Sequence, residues 1–408
     1  MPDDSRRALL RIFQSALAAV HGRKRVRDYL QQHPVSAPVF LLSIGKAACA
    51  MAQGAHEVLG ASIVEALVVT KHGHTESLPW PVLEAGHPLP DEQSLAAGQR
   101  LIEFAAAIPS DAAVLVLLSG GASALVEALP EGMDLGELRA LNDWLLAAGL
   151  DIAAMNRLRK RLSRIKGGRL AQLLAPQPVL CLAISDVPGD DPRAIGSGPL
   201  VADASLQAAP DTTGLPAVVA EALRNSPPAP TADDACFHNV HFEIIARLDD
   251  AKRAAAEAAR QLGYKVTLHP GFIDGDALAT GDRLAQVLLA APAGELQIWG
   301  GETTIKLPSQ PGRGGRNQSL ALAAALALRG QENIWFLSVG TDGTDGPTPD
   351  AGALVDGGTF ARGEAEGVPA RQAIAAADAG RFLAASGDLI QTGPTGTNVM
   401  DLMLGLRA

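Results

Sequence analysis

The sequence predicts an α/β protein of two domains, and three observations carry that prediction. Apolar runs of strand length recur, each ending abruptly in Gly, Ser, Thr or Asp. Helical periodicity resumes soon after most of them. The chain, at 408 residues, exceeds what one hydrophobic core usually organises. Aromatic residues make up only 4% of it, so alanine, leucine, valine and glycine must fill the core, which suits helices packed closely on a sheet.

In chain order, RRALLRIFQSALAAV (Arg6–Val20) reads as an amphipathic helix, and Arg11 and Gln14 make it unlike the apolar stretch of a signal peptide. VFLLSIGKAA (Val39–Ala48) is the first strand with its polar turn, followed by a helix over Ser94–Ala107. LVLLSGGAS (Leu115–Ser123) repeats the pattern, then come helices over Leu135–Ala148 and Ile152–Arg164. PVLCLAISDVPGDD (Pro178–Asp191) is the third such strand. Val201–Asn239, rich in Pro, Asp and Thr, reads as a linker or a surface excursion.

Helices are expected over Asp250–Leu262, Asp276–Ala290 and Gln318–Arg329, with strands in ELQIWGGETT (Glu295–Thr304) and NIWFLSVGTDGTDG (Asn333–Gly346). Pro308–Gly315 (PSQPGRGG) reads as a mobile glycine-rich loop. The strands are continuously apolar rather than alternating, which predicts burial on both faces and a largely parallel sheet covered by helices.

The longest apolar run, Leu320–Leu328, is far short of the ~20 residues that span a bilayer, so no membrane association is expected. Cys49, Cys181 and Cys236 are too few and scattered for a disulfide framework, which fits a reducing cytoplasm. A net charge of −10 argues against nucleic acid as a partner but leaves room for a local anion pocket.

Open α/β sheets bind ligands beyond the carboxyl ends of their strands, where all five polar turns fall. The turn Ser119, Gly120, Gly121, Ala122, Ser123 offers closely spaced N–H groups, either as an anion nest or as a plain chain reversal. Lys46 follows a buried strand and can present a point charge to a phosphate or carboxylate. In MNRLRKRLSRIKGGRL, Asn156, Arg159, Lys160 and Ser163 share one helical face, either a solvated face or a basic wall for an anionic substrate, and Lys166 follows.

Asp186, Asp190 and Asp191 sit in ISDVPGDDP, where acids can hold Mg²⁺ or take a proton from a hydroxyl, or merely form turns. Glu302 in GGETT, and Thr341, Asp342, Thr344 and Asp345 in GTDGTDGPTPD, repeat that theme. Arg313 and Arg316 flank glycines, with Asn317 at a helix start, and Asn398 lies in TGPTGTNVMDL. CFHNVH (Cys236–His241) has its ligands too close together for an ordinary zinc site. Glycine-rich turns, cations and strand-end acids together suit phosphoryl transfer. A dehydrogenase would want a G-x-G-x-x-G fingerprint, which the chain lacks.

These residues carry a resemblance. SIGKAA, EAGHPLPDE, LSGGASAL, NRLRKRLSRIKGGRLA and ISDVPGDDPRAIGSGP resemble the N-terminal domain of the bacterial glycerate 2-kinase family. GGETTIKL, GRGGRNQSLAL, GTDGTDGPTPDAGA and TGPTGTNVMDL resemble its C-terminal, leucine-rich (MOFRL) domain. The resemblance implies a Rossmann-like, mostly parallel domain over residues 1–235, a second α/β domain over 236–408, and an active site in the cleft between them.

It further implies ATP-dependent phosphorylation of D-glycerate to 2-phosphoglycerate with Mg²⁺ or another divalent ion, and it allows for a homodimer. Some members are labelled hydroxypyruvate reductases, which makes NAD(P)H-dependent reduction the alternative activity.

Lys46, Asp186 and Arg316 match the family's strand-end lysine, SDV aspartate and GGRNQ arginine, and are expected to be catalytic. Ser119, Gly120, Gly121, Ser123, Asn156, Lys166, Asn317, Thr341 and Asp342 are expected to bind nucleotide or phosphate, and Asp186, Glu302 and Asp342 to hold the metal. Ser319, Arg161 and Met400 depart from the residues usual in those motifs.

Overall fold

The structure, a computed structural model, describes residues 2–148, 152–209 and 213–408. It divides into two compact units, one of Gly22–Ile245, the other of the residues up to His21 together with Ala246–Ala408.

The first unit is built on six strands: β1 (Val39–Ile44), β2 (Ile63–Lys71), β3 (Val82–Ala85), β4 (Ala113–Leu118), β5 (Val179–Ile184) and β6 (Val240–Ala246). They lie side by side in the order β3-β2-β1-β4-β5-β6, and the four pairings from β3 to β5 are parallel. Phe40, Leu42, Val114, Val116 and Cys181 pack on one face against Leu101, Phe104 and Leu170. The alternate residues Leu41, Leu115 and Leu117 are equally buried on the other. That two-sided burial is why these strands read as unbroken apolar runs.

The chain moves outward from β1 to β3, then returns to β4 beside β1 and continues the opposite way. The turns after β1 and β4 therefore part at the point where strand order reverses, the crevice in which such sheets bind ligands.

The second unit holds β7 (Lys265–Ile273), β8 (Glu295–Gly301), β9 (Ile334–Gly340), β10 (Gly352–Asp356), β11 (Leu389–Ile390) and β12 (Asp401–Arg407), in the order β11-β10-β9-β12-β8-β7. Only β7 and β8 pair in parallel, and the other four pairings are antiparallel. The expectation of a largely parallel sheet thus describes the first unit and not this one. Trp299, Phe336 and Met403 pack under the helices Ala277–Ala290 and Arg316–Ala327. The alternate residues Ile298, Leu337, Val339 and Leu404 are buried as well. Helices on both faces make the strands continuously apolar, whatever the direction of their neighbours.

β8 and β9 run the same way with β12 reversed between them. Asp401, at the start of β12, therefore pairs with both Gly301 and Gly340 at the strand ends.

The observed division differs from the expected one at residue 235 in two places. The amphipathic helix Pro2–Val20 buries Leu9, Ile12, Phe13, Ala16 and Val20 in the second unit. Residues 236–245 belong to the first unit, together with the stretch before them, in which Val219, Ala222 and Leu223 pack on Leu141 and Leu145 and the Pro227 carbonyl accepts from Arg169 at 2.9 Å. The Pro- and Asp-rich stretch is a surface excursion. The chain passes between the units twice, after His21 and again at the end of β6, directly before the helix Leu248–Gln261. Among the described residues no helix is long and apolar enough to cross a membrane.

Candidate active site

In the first unit, the turns after β1 and β4 are locked together. The Lys46 N–H donates to the Gly120 carbonyl at 2.9 Å, and the Ala47 N–H to the Ser119 hydroxyl at 3.1 Å. Gly45 (φ +131°) lies so close that a Cβ there would sit 2.1 Å from the Ser119 Oγ and 2.5 Å from its carbonyl oxygen. Ser119 is fully buried with its hydroxyl turned inward, so its part in the turn is to brace Gly45–Ala47. Gly121, in left-handed backbone (φ +85°), faces the Lys46 and His87 side chains, whose nearest atoms come within 3.3 and 3.0 Å of where its Cβ would be.

Beside that turn opens a pocket of about 320 Å³. It brings together six of the residues singled out in the sequence: Gly121, Ser123, Asn156, Arg159, Lys166 and Asp186. Asp186, half-buried, stands just past the end of β5. The Ser123 hydroxyl is 2.8 Å from that of Ser197, which holds a left-handed backbone (φ +65°) unusual for a residue with a side chain.

Lys166 lies beneath, 4% exposed, donating to the Ser123 carbonyl at 2.8 Å and to the buried Glu127 carboxylate. The other Glu127 oxygen accepts from the Ser163 hydroxyl at 2.6 Å. The Lys166 charge is thus neutralised within the protein, and its ammonium fixes the turn from below. Arg159 also lines the pocket, donating to Asn142 at 2.9 Å and to Asn156 at 3.4 Å. Lys160, on the same helix, turns away to Asp203 at 2.7 Å.

The second unit gathers charge around the start of the helix Arg316–Ala327. The Arg316 guanidinium forks onto Asp401 at 2.6 and 3.0 Å and reaches Glu302 at 2.6 Å. Burial alone would weaken that charge, but Asp401, then Glu302 and Asp345, outweigh it and hold the guanidinium above its usual pKa.

Asp345, 2% exposed, accepts the N–H groups of Asn317 at 3.0 Å and Gln318 at 2.8 Å, and so caps the helix. Burial pushes its carboxyl up to about 7, with Asp401 adding to the rise while the two N–H groups and Arg316 oppose it. Thr341 is buried, accepting from the Val399 N–H at 2.8 Å and donating to the Met400 carbonyl at 2.6 Å. Asn317 is buried too, its carbonyl accepting from Ser338 at 2.7 Å. Both shape the strand ends from within. Asp342 accepts from the Thr344 N–H at 3.0 Å.

The loop read as mobile is fastened at its far end. Gly312 donates to the Ala376 carbonyl and the Arg313 N–H to Asp378, both at 2.8 Å, while the Arg313 guanidinium meets Asp350 at 2.6 Å. Its glycines serve close approach rather than freedom.

Among the described residues no three His, Cys, Asp or Glu side chains are placed to hold a metal ion by themselves. Mg²⁺ bound with a nucleotide takes most of its oxygens from phosphate and water and needs only one or two carboxylates. Asp186 and Asp342 are of the right chemistry for that share, whereas Glu302 is engaged with Arg316.

Sequence reasoning assigned no role to His87, Asn142, Ser197 or Asp401, although His87, Ser197 and Asp401 lie in segments that carry the resemblance; Asn142 lies in none of them.

Two family models match the chain: a domain of unknown function (DUF4147) over residues 8–214 and the MOFRL family over residues 295–401. The chain is 36% identical to a D-glycerate 2-kinase of Thermotoga maritima, over 99% of each. It is equally 36% identical to a protein of Agrobacterium vitis provisionally named hydroxypyruvate reductase, over 98% of this chain and 93% of that one. The crystal structure of a Thermotoga maritima glycerate kinase superposes with a TM-score of 0.86 at 35% identity, over the full length of both.

Proposed function

We propose that this chain, which belongs to the glycerate 2-kinase family, transfers the γ-phosphoryl group of ATP to the 2-hydroxyl of D-glycerate. The observation that carries the reading is the pocket at the strand-order switch, where Asp186 and Gly121 line one cavity and Lys46 faces Gly121. Phosphoryl transfer asks for positioning and charge, not for covalent chemistry by the protein.

In this reading the Gly121–Ser123 turn and Lys46 hold phosphate oxygens, and Asn156 lines the same pocket. The Asp186 carboxylate takes the proton of the 2-hydroxyl as its oxygen attacks the γ-phosphorus. The bond from that phosphorus to the β–γ bridging oxygen breaks, and ADP leaves. Arg316, which matches the family's GGRNQ arginine, is proposed to offer positive charge to a phosphate oxygen. An incoming phosphate can compete for the guanidinium nitrogen that meets Glu302, while the Asp401 fork keeps it oriented. Mg²⁺, when bound with the nucleotide, would neutralise charge on the phosphates, and Asp186 or Asp342 would be its protein ligand. The reading places the reaction in the cytoplasm, where Cys49, Cys181 and Cys236, all free thiols, stay reduced.

The test is incubation with ATP, Mg²⁺ and D-glycerate, with the product read by phosphorus NMR. A phosphate ester on C2 is expected, and Lys46→Ala should abolish most glycerate-dependent ADP release. Oxidation of NADH or NADPH by hydroxypyruvate without ADP formation would establish the reductase instead.

A further inference from the structure

The basic segment Arg159–Arg169 holds six cations, and among the described residues only two of them meet a carboxylate. Lys160 meets Asp203, and Lys166 meets Glu127. Arg161 donates to the carbonyls of Leu206 and Ala208, and Arg169 to those of Lys160, Lys166 and Pro227. These four tie the unit together.

Arg159 differs. Its guanidinium is half-buried in the pocket wall, and its partners among the described residues are two amide oxygens, those of Asn142 and Asn156. No carboxylate among them offsets its charge. Burial alone shifts this guanidinium, downward, the reverse of Arg316 with its two acids. Two neutral acceptors from separate helices hold the plane of the guanidinium without consuming its charge, which leaves N–H groups for an anion entering the pocket.

We infer that Arg159, aligned by Asn142 and Asn156, is the fork that receives the carboxylate of the acceptor substrate, so that the pocket selects short 2-hydroxycarboxylic acids. This rests on the glycerate kinase reading and adds the determinant of its acceptor. Asp186 lines the same cavity, so a molecule with a hydroxyl beside its carboxylate can meet both residues at once. A planar guanidinium matches a carboxylate edge to edge, whereas Lys46 is a point charge suited to phosphate. The shared chemistry is anionic oxygen, and the nucleotide's phosphates are the competing source.

The experiment compares the parent with Arg159→Lys, which keeps the charge but loses the fork, and with Arg159→Gln. KM for D-glycerate, KM for ATP and kcat are measured, and glycerol serves as an acceptor lacking the carboxylate. Folding of each variant is checked by its melting temperature.

The inference expects KM for glycerate to rise at least tenfold in Arg159→Lys and further in Arg159→Gln, with KM for ATP within twofold of the parent. The preference for glycerate over glycerol should collapse in Arg159→Gln. A rise confined to the KM for ATP would assign the fork to phosphate and overturn the inference, as would unchanged constants in both variants.

Should the parent show no turnover, calorimetric binding of D-glycerate alone decides. Weaker binding by both variants upholds the fork although the kinase reading fails, and equal binding to all three proteins overturns it.

Discussion

Adding one methyl group at Gly315 should dismantle the charged end of the second unit. The backbone there (φ −143°) is ordinary extended chain that any residue adopts, so the constraint is purely one of space. A Cβ would lie 2.4 Å from both the Cγ and Oδ1 of Asp345 and 2.5 Å from its carbonyl carbon. The carboxylate can rotate aside, but the carbonyl carbon cannot. Overpacking of this kind costs about 1–3 kcal/mol. If the carboxylate does swing away, the buried N–H groups of Asn317 and Gln318 each lose their acceptor, at about 1–3 kcal/mol apiece.

The smallest combination of these costs is about 3 kcal/mol, and a unit of this size loses roughly 2–4 °C per kcal/mol. Gly315→Ala should therefore lower the melting temperature by about 6 °C or more, followed by far-ultraviolet circular dichroism. Turnover should fall with it, because Arg316 opens the same helical turn. Gly271→Ala is the control, since nothing lies within 4 Å of a Cβ added at that exposed position. A Gly315→Ala protein that melts within about 1 °C of the parent would refute the steric argument.

Asp345 predicts a pH dependence of the opposite sign to most acids. Its folded carboxyl, pushed up to about 7, binds a proton more tightly than in the unfolded chain, so its contribution is complete below about pH 4 and is lost as pH rises toward 7. Relative to Asp345→Asn, the parent should lose roughly 3 kcal/mol of stability between pH 5 and pH 8 in urea titrations, and a constant difference would count against the buried charge.

Lys166→Met should cost about 3–5 kcal/mol because it strands the Glu127 carboxylate beneath the pocket. Lys166→Met combined with Glu127→Leu should cost far less than the two single changes summed, and simple additivity would show that the pair is not coupled.

The architecture was legible because α/β patterning is local. Val39–Ile44, Ala113–Leu118 and Val179–Ile184 announce themselves by composition, and each polar turn marks a strand end. Strand direction in the second unit was not, since an apolar run records covered faces rather than the sense of its neighbours. The two crossings between units escaped notice because one falls between consecutive helices at His21 and the other at a strand-to-helix turn, neither with a change in composition.

Residue type drew attention to Lys46 and Asp186 at strand ends of the first unit and to Arg316 in the second, but could not say which charges the protein had already spent. Lys166 and Arg159 look alike in the sequence. The difference between them is that one faces Glu127 and the other two asparagines. Likewise Ser119 reads as a phosphate donor until its hydroxyl is seen to point at Ala47.

The position of β12 has a consequence for how the chain reaches its folded state. β8 and β9 do not touch, and the slot between them is filled by residues 401–407, which are synthesised after both. The sheet cannot be laid down in order of translation. Until β12 arrives, two apolar strands each present an unpaired edge to the same gap, the kind of template that invites another chain. Closing the gap requires contacts a hundred or more residues apart along β8 and more than sixty along β9, so this unit belongs among the slower-folding topologies. The strand that seats Asp401 against Arg316 is thus also the one whose insertion completes the sheet.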